Sequence, residues 1–132
     1  MRLALQLALQ AKEKTYPNPM VGAVIVKNGK VVGKGYHKKA GLPHAEVEAI
    51  RSSKRSPRGS TMYVSLEPCD HHGRTPPCTE AIISSGIKEV NIAMKDPNPI
   101  NSGRGIKKLK KARLKVNVGL LEKEARDLNR KY

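Results

Sequence analysis

The stretch from Pro43 to Thr79 constrains this chain more than any other. It reads PHAE at residues 43–46 and, past an apolar strand, EPCDHHGRTPPCT at residues 67–79. His44, Glu46 and the only two cysteines of the protein, Cys69 and Cys78, all fall within it. An imidazole and two thiolates form a ligand set for a catalytic zinc ion, which keeps a fourth position open for water. Any fold the chain adopts must bring residues 44, 69 and 78 to one point, with the Glu46 carboxylate beside them.

Such a site has to be held by one small aliphatic core. A length of 132 residues fits one domain. Apolar residues make up 38% of the chain, with neither Phe nor Trp among them, so Val, Ile, Leu and Ala must fill the interior. Lys and Arg number 26 against 11 Asp and Glu, a formal charge of +15 that favours an anionic partner, nucleic acid or a phosphorylated metabolite. Much of that charge sits in runs such as Lys38-Lys39 and Lys107-Lys108, which at helical or strand-edge spacing form solvated faces. Two cysteines without export features point to metal or catalysis, not to a disulfide framework. The opening MRLALQLALQ resembles a signal-peptide core, but Arg2, Gln6, Gln10 and Glu13 draw one polar stripe down an amphipathic helix. No apolar run is long enough to cross a bilayer, and a cytoplasmic location is expected.

After the first helix, the prolines of Thr15-Tyr16-Pro17-Asn18-Pro19 enforce an irregular segment. Val21–Lys27 is a β-branched run, Asn28-Gly29 is a hairpin turn, and Val31–Tyr36 returns as the antiparallel partner. His44 precedes a short helix over 45–53, and a strand over 61–66 delivers Glu67, Pro68 and Cys69 at its carboxyl end, where ligands gather in open α/β sheets. A helix with Thr75 as its cap is predicted to run to Ser85 and close at Gly86. Residues 89–94 form a fourth strand, Gly103-Arg104-Gly105 opens a basic helix to about Ala112, 114–118 is a fifth strand, and 120–129 is a closing helix. Gly103-Arg104-Gly105 is read as a turn, with anion binding before the helix as the other reading. The order of elements gives an α/β fold, a mixed sheet covered on both faces.

With one zinc ion held by His44, Cys69 and Cys78, the open position takes a water whose pKa falls from about 15.7 to about 7. Residues two apart on a helix do not share a face. His44 and Glu46 therefore reach the same ion only if the ion lies off the helix end. Cys78 likewise sits at the start of its helix, so two helix amino ends favour the deprotonated ligands. Glu46 takes a proton from the water and passes it to a leaving nitrogen, a role that contributes about two to four powers of ten in rate. A purely structural zinc would close its fourth position with His71 or His72. The sequence of HAE and then PC matches the order found in zinc nucleobase deaminases.

The segments TYPNPMVGAVIV, GYHKKAGLPHAE, YVSLEPCDHHGRTPPCTEAI and DPNPINSGRGI together resemble the deaminase domain of the riboflavin-biosynthesis deaminase/reductase family, within the cytidine-deaminase-like superfamily. The resemblance covers essentially the whole chain, and the insert DHHGRTPP between the cysteines makes it specific. It implies a three-layer α/β/α sandwich with a five-stranded mixed sheet. It also implies a hydrolase that releases ammonia from 2,5-diamino-6-ribosylamino-4(3H)-pyrimidinone 5′-phosphate and leaves 5-amino-6-ribosylaminouracil 5′-phosphate. His44, Cys69 and Cys78 match the family's Zn2+ ligands and Glu46 its proton shuttle. By the same matching Asn18, His71, Arg74, Asp96 and Asn98 line the substrate pocket, where Asn and Asp suit a ring's amide edge and Arg74 with protonated His71 suits phosphate. Without the resemblance, Asn18, Asp96 and Asn98 read equally as proline-turn residues.

Two departures stand out. Asp70 occupies a position where the family commonly has serine, which sets a carboxylate beside a thiolate ligand. No reductase domain follows within residues 1–132, which are expected to be a single zinc-dependent deaminase domain. The expected partners are the phosphorylated pyrimidine ribotide, further copies of the chain in a homo-oligomer, and a reductase, separate or fused. Membrane and nucleic acid are not expected as partners. The competing readings are a tRNA or single-strand deaminase of the same superfamily, encouraged by the charge but poor in aromatic platforms with only four tyrosines, and a nonenzymatic zinc-stabilised binding module.

Overall fold

The Asn28-Gly29 pair turns the chain as its sequence requires. In the computed structural model, which describes residues 1–12, 14–71 and 75–130, both residues have positive φ, 51° and 76°. Such angles give the tight turn that matches strand twist. The turn joins β1 (Gly22–Lys27) to β2 (Lys30–Tyr36), with Lys27 opposite Lys30. On the other side β1 pairs antiparallel with β3 (Thr61–Val64), which is followed in parallel by β4 (Glu89–Ile92) and β5 (Lys115–Val118). The sheet order is β2-β1-β3-β4-β5, a five-stranded mixed sheet. Parallel neighbours need crossovers, and α3 (Cys78–Ser85) and α4 (Arg104–Lys111) supply them.

Strand alternation decides which helices lie on which face. Ala23, Ile25, Met62, Val64, Val90 and Ile92 point to one side, where they meet Ala45 and Ala49 of α2 (Ala45–Arg51), Ile82 of α3, and Ile106 and Leu109 of α4. This aliphatic layer is the main core, and fully burying a side chain such as Ile25 contributes about 1.5–3 kcal/mol. On the opposite face Val24 meets Ala4 and Leu7 of α1 (Arg2–Leu9), while Leu66, Ala93 and Met94 meet Ala125 of α5 (Glu122–Leu128). The result is the expected three-layer sandwich. Part of the second face is polar: Asn117 Nδ2 donates to Glu89 Oε2 at 3.2 Å and to Asn91 Oδ1 at 3.0 Å across β4 and β5.

Glycines in β2 bring α2 close to the sheet. A Cβ at Gly33 would lie 2.4 Å from the Ala49 carbonyl oxygen, and one at Gly35 would lie 2.7 Å from the Ala49 nitrogen. The helix therefore sits directly on the strand backbone, which fixes the height at which residues 44–46 emerge.

Several boundaries differ from the sequence expectation. β3 ends at Val64 and β4 at Ile92, yet pairing continues as Ala93 N–H donates to Val64 O and Glu67 N–H donates to Met94 O, each at 3.0 Å. The larger correction concerns α3, which begins at Cys78 with Pro77 as N-cap, not with Thr75. Tandem prolines bias the residue before each of them away from helical angles, and Pro77 itself is extended at ψ 143°. The consequence is favourable, because Cys78 becomes the first residue of the helix. Among the described residues, no helix is long and apolar enough to cross a membrane.

Candidate active site and metal centre

Three segments converge beyond the carboxyl ends of β3 and β4. His44 is the N-cap of α2, with extended backbone at ψ 163°, and Glu46 lies in the first turn of that helix. Cys69 follows β3 after Ser65, Leu66, Glu67 and Pro68, and Cys78 opens α3. The His44 Nδ1 atom is 3.2 Å from Cys78 Sγ and 3.8 Å from Cys69 Sγ. One ligand atom from each of the three residues lies within 4.8 Å of the others.

These residues fit a zinc ion. Bonds of about 2.3 Å to sulfur and 2.05 Å to nitrogen at tetrahedral angles separate ligand atoms by roughly 3.5–3.8 Å, and the observed spacings bracket that range. Both cysteines are free thiols. Hydrogen bonding to Cys78, aided by His44, brings the Cys69 thiol down to about 4, whereas the same contact and burial push Cys78 well above its ordinary value. The contact therefore favours the thiolate form of Cys69 over that of Cys78. His44 is raised, first by its hydrogen bond to Cys69.

Glu46 has a different environment. It is 4% exposed, and desolvation chiefly, with the Cys69 charge adding to it, pushes its carboxyl up to about 7. A carboxyl group that titrates near neutrality is suited to take and return a proton. Residues 44 and 46 both reach the site because it lies off the amino end of α2, as the sequence argument required.

A cavity of about 560 Å³ opens over this cluster, lined by His44, Glu46 and Cys69 together with the expected residues Asn18, His71, Asp96 and Asn98. Asn18 and His71 are exposed and Asp96 is buried. Arg74, also expected here, lies outside the described residues. Asp96 and Asn98 also fulfil the turn-shaping alternative: Asp96 Oδ1 accepts from Asn98 N–H at 2.9 Å, and Asn98 Oδ1 accepts from Ile100 N–H at 3.1 Å. The two readings are compatible, since turns that fix these residues also present them to the cavity.

Sequence reasoning did not single out His37. It is buried at the end of the β2 segment, with Nδ1 3.1 Å from Pro43 O, Nε2 3.3 Å from Asn18 Nδ2, and its ring edge-on to His44 at 5.1 Å. Its available signal was GYH closing a strand just upstream of PHAE. Asp70, the unusual neighbour of Cys69, turns aside: its Oδ1 accepts from the Thr79 hydroxyl at 2.7 Å in the first turn of α3.

The family model for the cytidine and deoxycytidylate deaminase zinc-binding region matches residues 1–94. The chain belongs to this zinc-binding deaminase family. Among its relatives, the riboflavin biosynthesis protein RibD of Aquifex aeolicus is 58% identical over the whole chain, which spans 37% of that protein. The chain thus covers little more than a third of such longer relatives. It covers 90% of the diaminohydroxyphosphoribosylamino-pyrimidine deaminase of Buchnera aphidicola, at 48% identity over all 132 residues. The fold matches the Thermotoga maritima diaminohydroxyphosphoribosylaminopyrimidine deaminase/5-amino-6-(5-phosphoribosylamino)uracil reductase with a TM-score of 0.94 and 47% identity, covering 98% of this chain and 38% of that one. The His44, Cys69 and Cys78 cluster, placed to hold a metal ion, lies within the residues matched by this zinc-binding region.

Proposed function

We propose that this chain hydrolytically deaminates 2,5-diamino-6-ribosylamino-4(3H)-pyrimidinone 5′-phosphate, giving 5-amino-6-ribosylaminouracil 5′-phosphate and ammonia, as one step of riboflavin biosynthesis. The observation that carries the reading is the buried Glu46 carboxyl, at about 7, beside a thiolate and imidazole cluster on the floor of a cavity large enough for a ribotide. The Buchnera relative, named for this deamination, is nearly the same length.

His44, Cys69 and Cys78 would hold the Zn2+ ion, which when bound supplies Lewis acidity that makes a water molecule an effective nucleophile at neutral pH. Glu46 accepts a proton at its carboxylate as the nucleophile forms and returns it to the departing amino nitrogen. Asn18, Asp96 and Asn98 orient the ring and ribose by hydrogen bonds, and His71 with Arg74 meets the phosphate. The net charge of +15 steers a phosphorylated substrate toward the cavity. Among the described residues, those lining that cavity include no tyrosine, which disfavours a stacking platform of the single-strand nucleic-acid kind. The reductase that consumes the product is a further domain or a separate protein, and the expected compartment is the cytoplasm.

The test is metal analysis paired with ammonia release from the ribotide. The parent is expected to carry one zinc and to release ammonia. Glu46→Gln is expected to keep the zinc and to lose about two to four powers of ten in rate. A parent that binds zinc but releases no ammonia, with a Glu46→Gln variant that loses the metal, would instead make the chain a zinc-stabilised binding module.

A further inference from the structure

Beneath the loop that carries Cys69 lies a buried polar cluster that the reaction does not use directly. Glu67, two residues before Cys69, is 3% exposed. Its Oε1 accepts from the backbone N–H groups of Asp96 and Gly103, and its Oε2 accepts from that of Ile106, each at 3.0 Å. Asn101 is fully buried. Its Nδ2 donates to Pro68 O at 3.2 Å and to Asp96 Oδ2 at 3.4 Å, while its Oδ1 accepts from Asp70 N–H at 2.9 Å. Asn101 thus holds the carbonyl before Cys69 and the amide after it. Glu67 holds the amide of Asp96, at the head of the other loop that faces the cavity.

We propose that Glu67 and Asn101 are positioning residues, a single buried brace that sets the Cys69 sulfur and the Asp96–Asn98 segment at one fixed separation. Cys69 sits on a loop beyond the end of β3, and its sulfur keeps its place only if the peptide planes at 68–69 and 69–70 cannot rotate. Asn101 restrains both. Neither residue can exchange its partners for water, because the groups are buried and an unpaired one costs a large share of the interaction. Asp96 meets both residues, through its amide to Glu67 and its carboxylate to Asn101, so moving either loop strains the other. The close approach is independent of these bonds: a Cβ at Gly105 would stand 2.0 Å from Pro68 O, so the first turn of α4 lies directly against the segment that carries Cys69.

The brace rests on the reading of His44, Cys69 and Cys78 as a metal centre, and the test separates the two. Zinc affinity is measured by chelator competition, and the Co2+-substituted protein is examined for its thiolate-to-cobalt and ligand-field bands. The parent, Glu67→Gln and Asn101→Ala are compared, with product binding followed by calorimetry. Each variant is expected to weaken zinc binding about 10–100-fold, to shift the cobalt bands, and to weaken product binding in parallel. Combining the two is expected to cost less than the product of the single effects, because they act as one unit. If Glu67→Gln does not fold, Asn101→Ser, which leaves the three bonds of Glu67 intact, decides. A parent without a thiolate-to-cobalt band overturns the metal-centre reading and the brace with it. A parent with that band and variants that melt earlier but keep its energy and the zinc affinity overturn the brace alone.

Discussion

Two helices begin beside the segment from Leu66 to Asp70, and each turns its amino end toward a negatively charged group of that segment. At α3 the anion is the Cys69 sulfur, which accepts from Cys78 N–H at 3.3 Å while the Cys69 carbonyl accepts from Thr79 N–H at 3.2 Å. At α4 it is the Glu67 carboxylate, which accepts from Gly103 and Ile106 and also from Asp96. Both ends use free backbone N–H groups and a helix dipole to hold negative charge. They differ in what is left over. Cys69 is half-buried and lines the cavity, so its sulfur keeps lone pairs for another ligand. Glu67 is closed in by three amides. The same physical device makes a reactive centre where the anion faces a cavity and a fixed strut where it does not.

The comparison can be broken most severely at the α3 end. Cys78→Ser removes one sulfur from the cluster, and zinc affinity measured by chelator competition should fall by more than the roughly 100-fold that loss of an outer hydrogen-bond partner costs. Retention of parental affinity would mean the open end does not hold the ion.

A smaller effect sharpens the electrostatics of the open end. The Glu46 carboxyl is raised from 4.5 to about 7, so the folded protein binds its proton more tightly than the unfolded chain does. Its charge therefore opposes folding increasingly as pH rises from about 4.5 through 7, by at most about 3 kcal/mol. In metal-stripped protein, Glu46→Gln should be more stable than the parent above pH 7, by up to that amount. The gap should close below the unfolded pKa. Urea unfolding across that range checks it, and a gap independent of pH would remove desolvation as the cause.

The closed end is probed most gently by Gly105→Ala. The new methyl group would press on the Pro68 carbonyl, and overpacking of this kind costs about 1–3 kcal/mol. The urea midpoint reports it. An unchanged midpoint would show that α4 moves off the segment freely, and the contrast between a sealed and an open end would disappear.

How much was legible in advance follows from where each partner sits in the chain. The hairpin was readable because Asn28-Gly29 acts on adjacent residues. The meeting of His44, Cys69 and Cys78 was readable because imidazole and thiolate side chains carry their chemistry with them, and the off-end geometry followed from the two-residue spacing of His44 and Glu46. The N-cap of α3 was missed by two residues, since Thr75 offered a cap but Pro76 and Pro77 kept the chain extended. For Gly103-Arg104-Gly105 the turn reading holds, with Gly103 at φ 82° as the N-cap of α4. The anion reading was right in kind but had no occupant in view.

The occupant was hidden because Glu67 binds backbone amides 29, 36 and 39 residues away. Backbone amides are identical at every non-proline position, so a carboxylate that binds them leaves no partner residue type to recognise. His37 was missed for a related reason, since its contacts to Asn18 and Pro43 form only once the loops have folded over β2. The sequence alone therefore determined which atoms could bind a metal, where the strands reverse and how Glu46 is spaced from His44. Only the tertiary structure decided which carboxylate is sealed and which titrates near neutrality, because that depends on how much water and how many distant amides the fold brings to each.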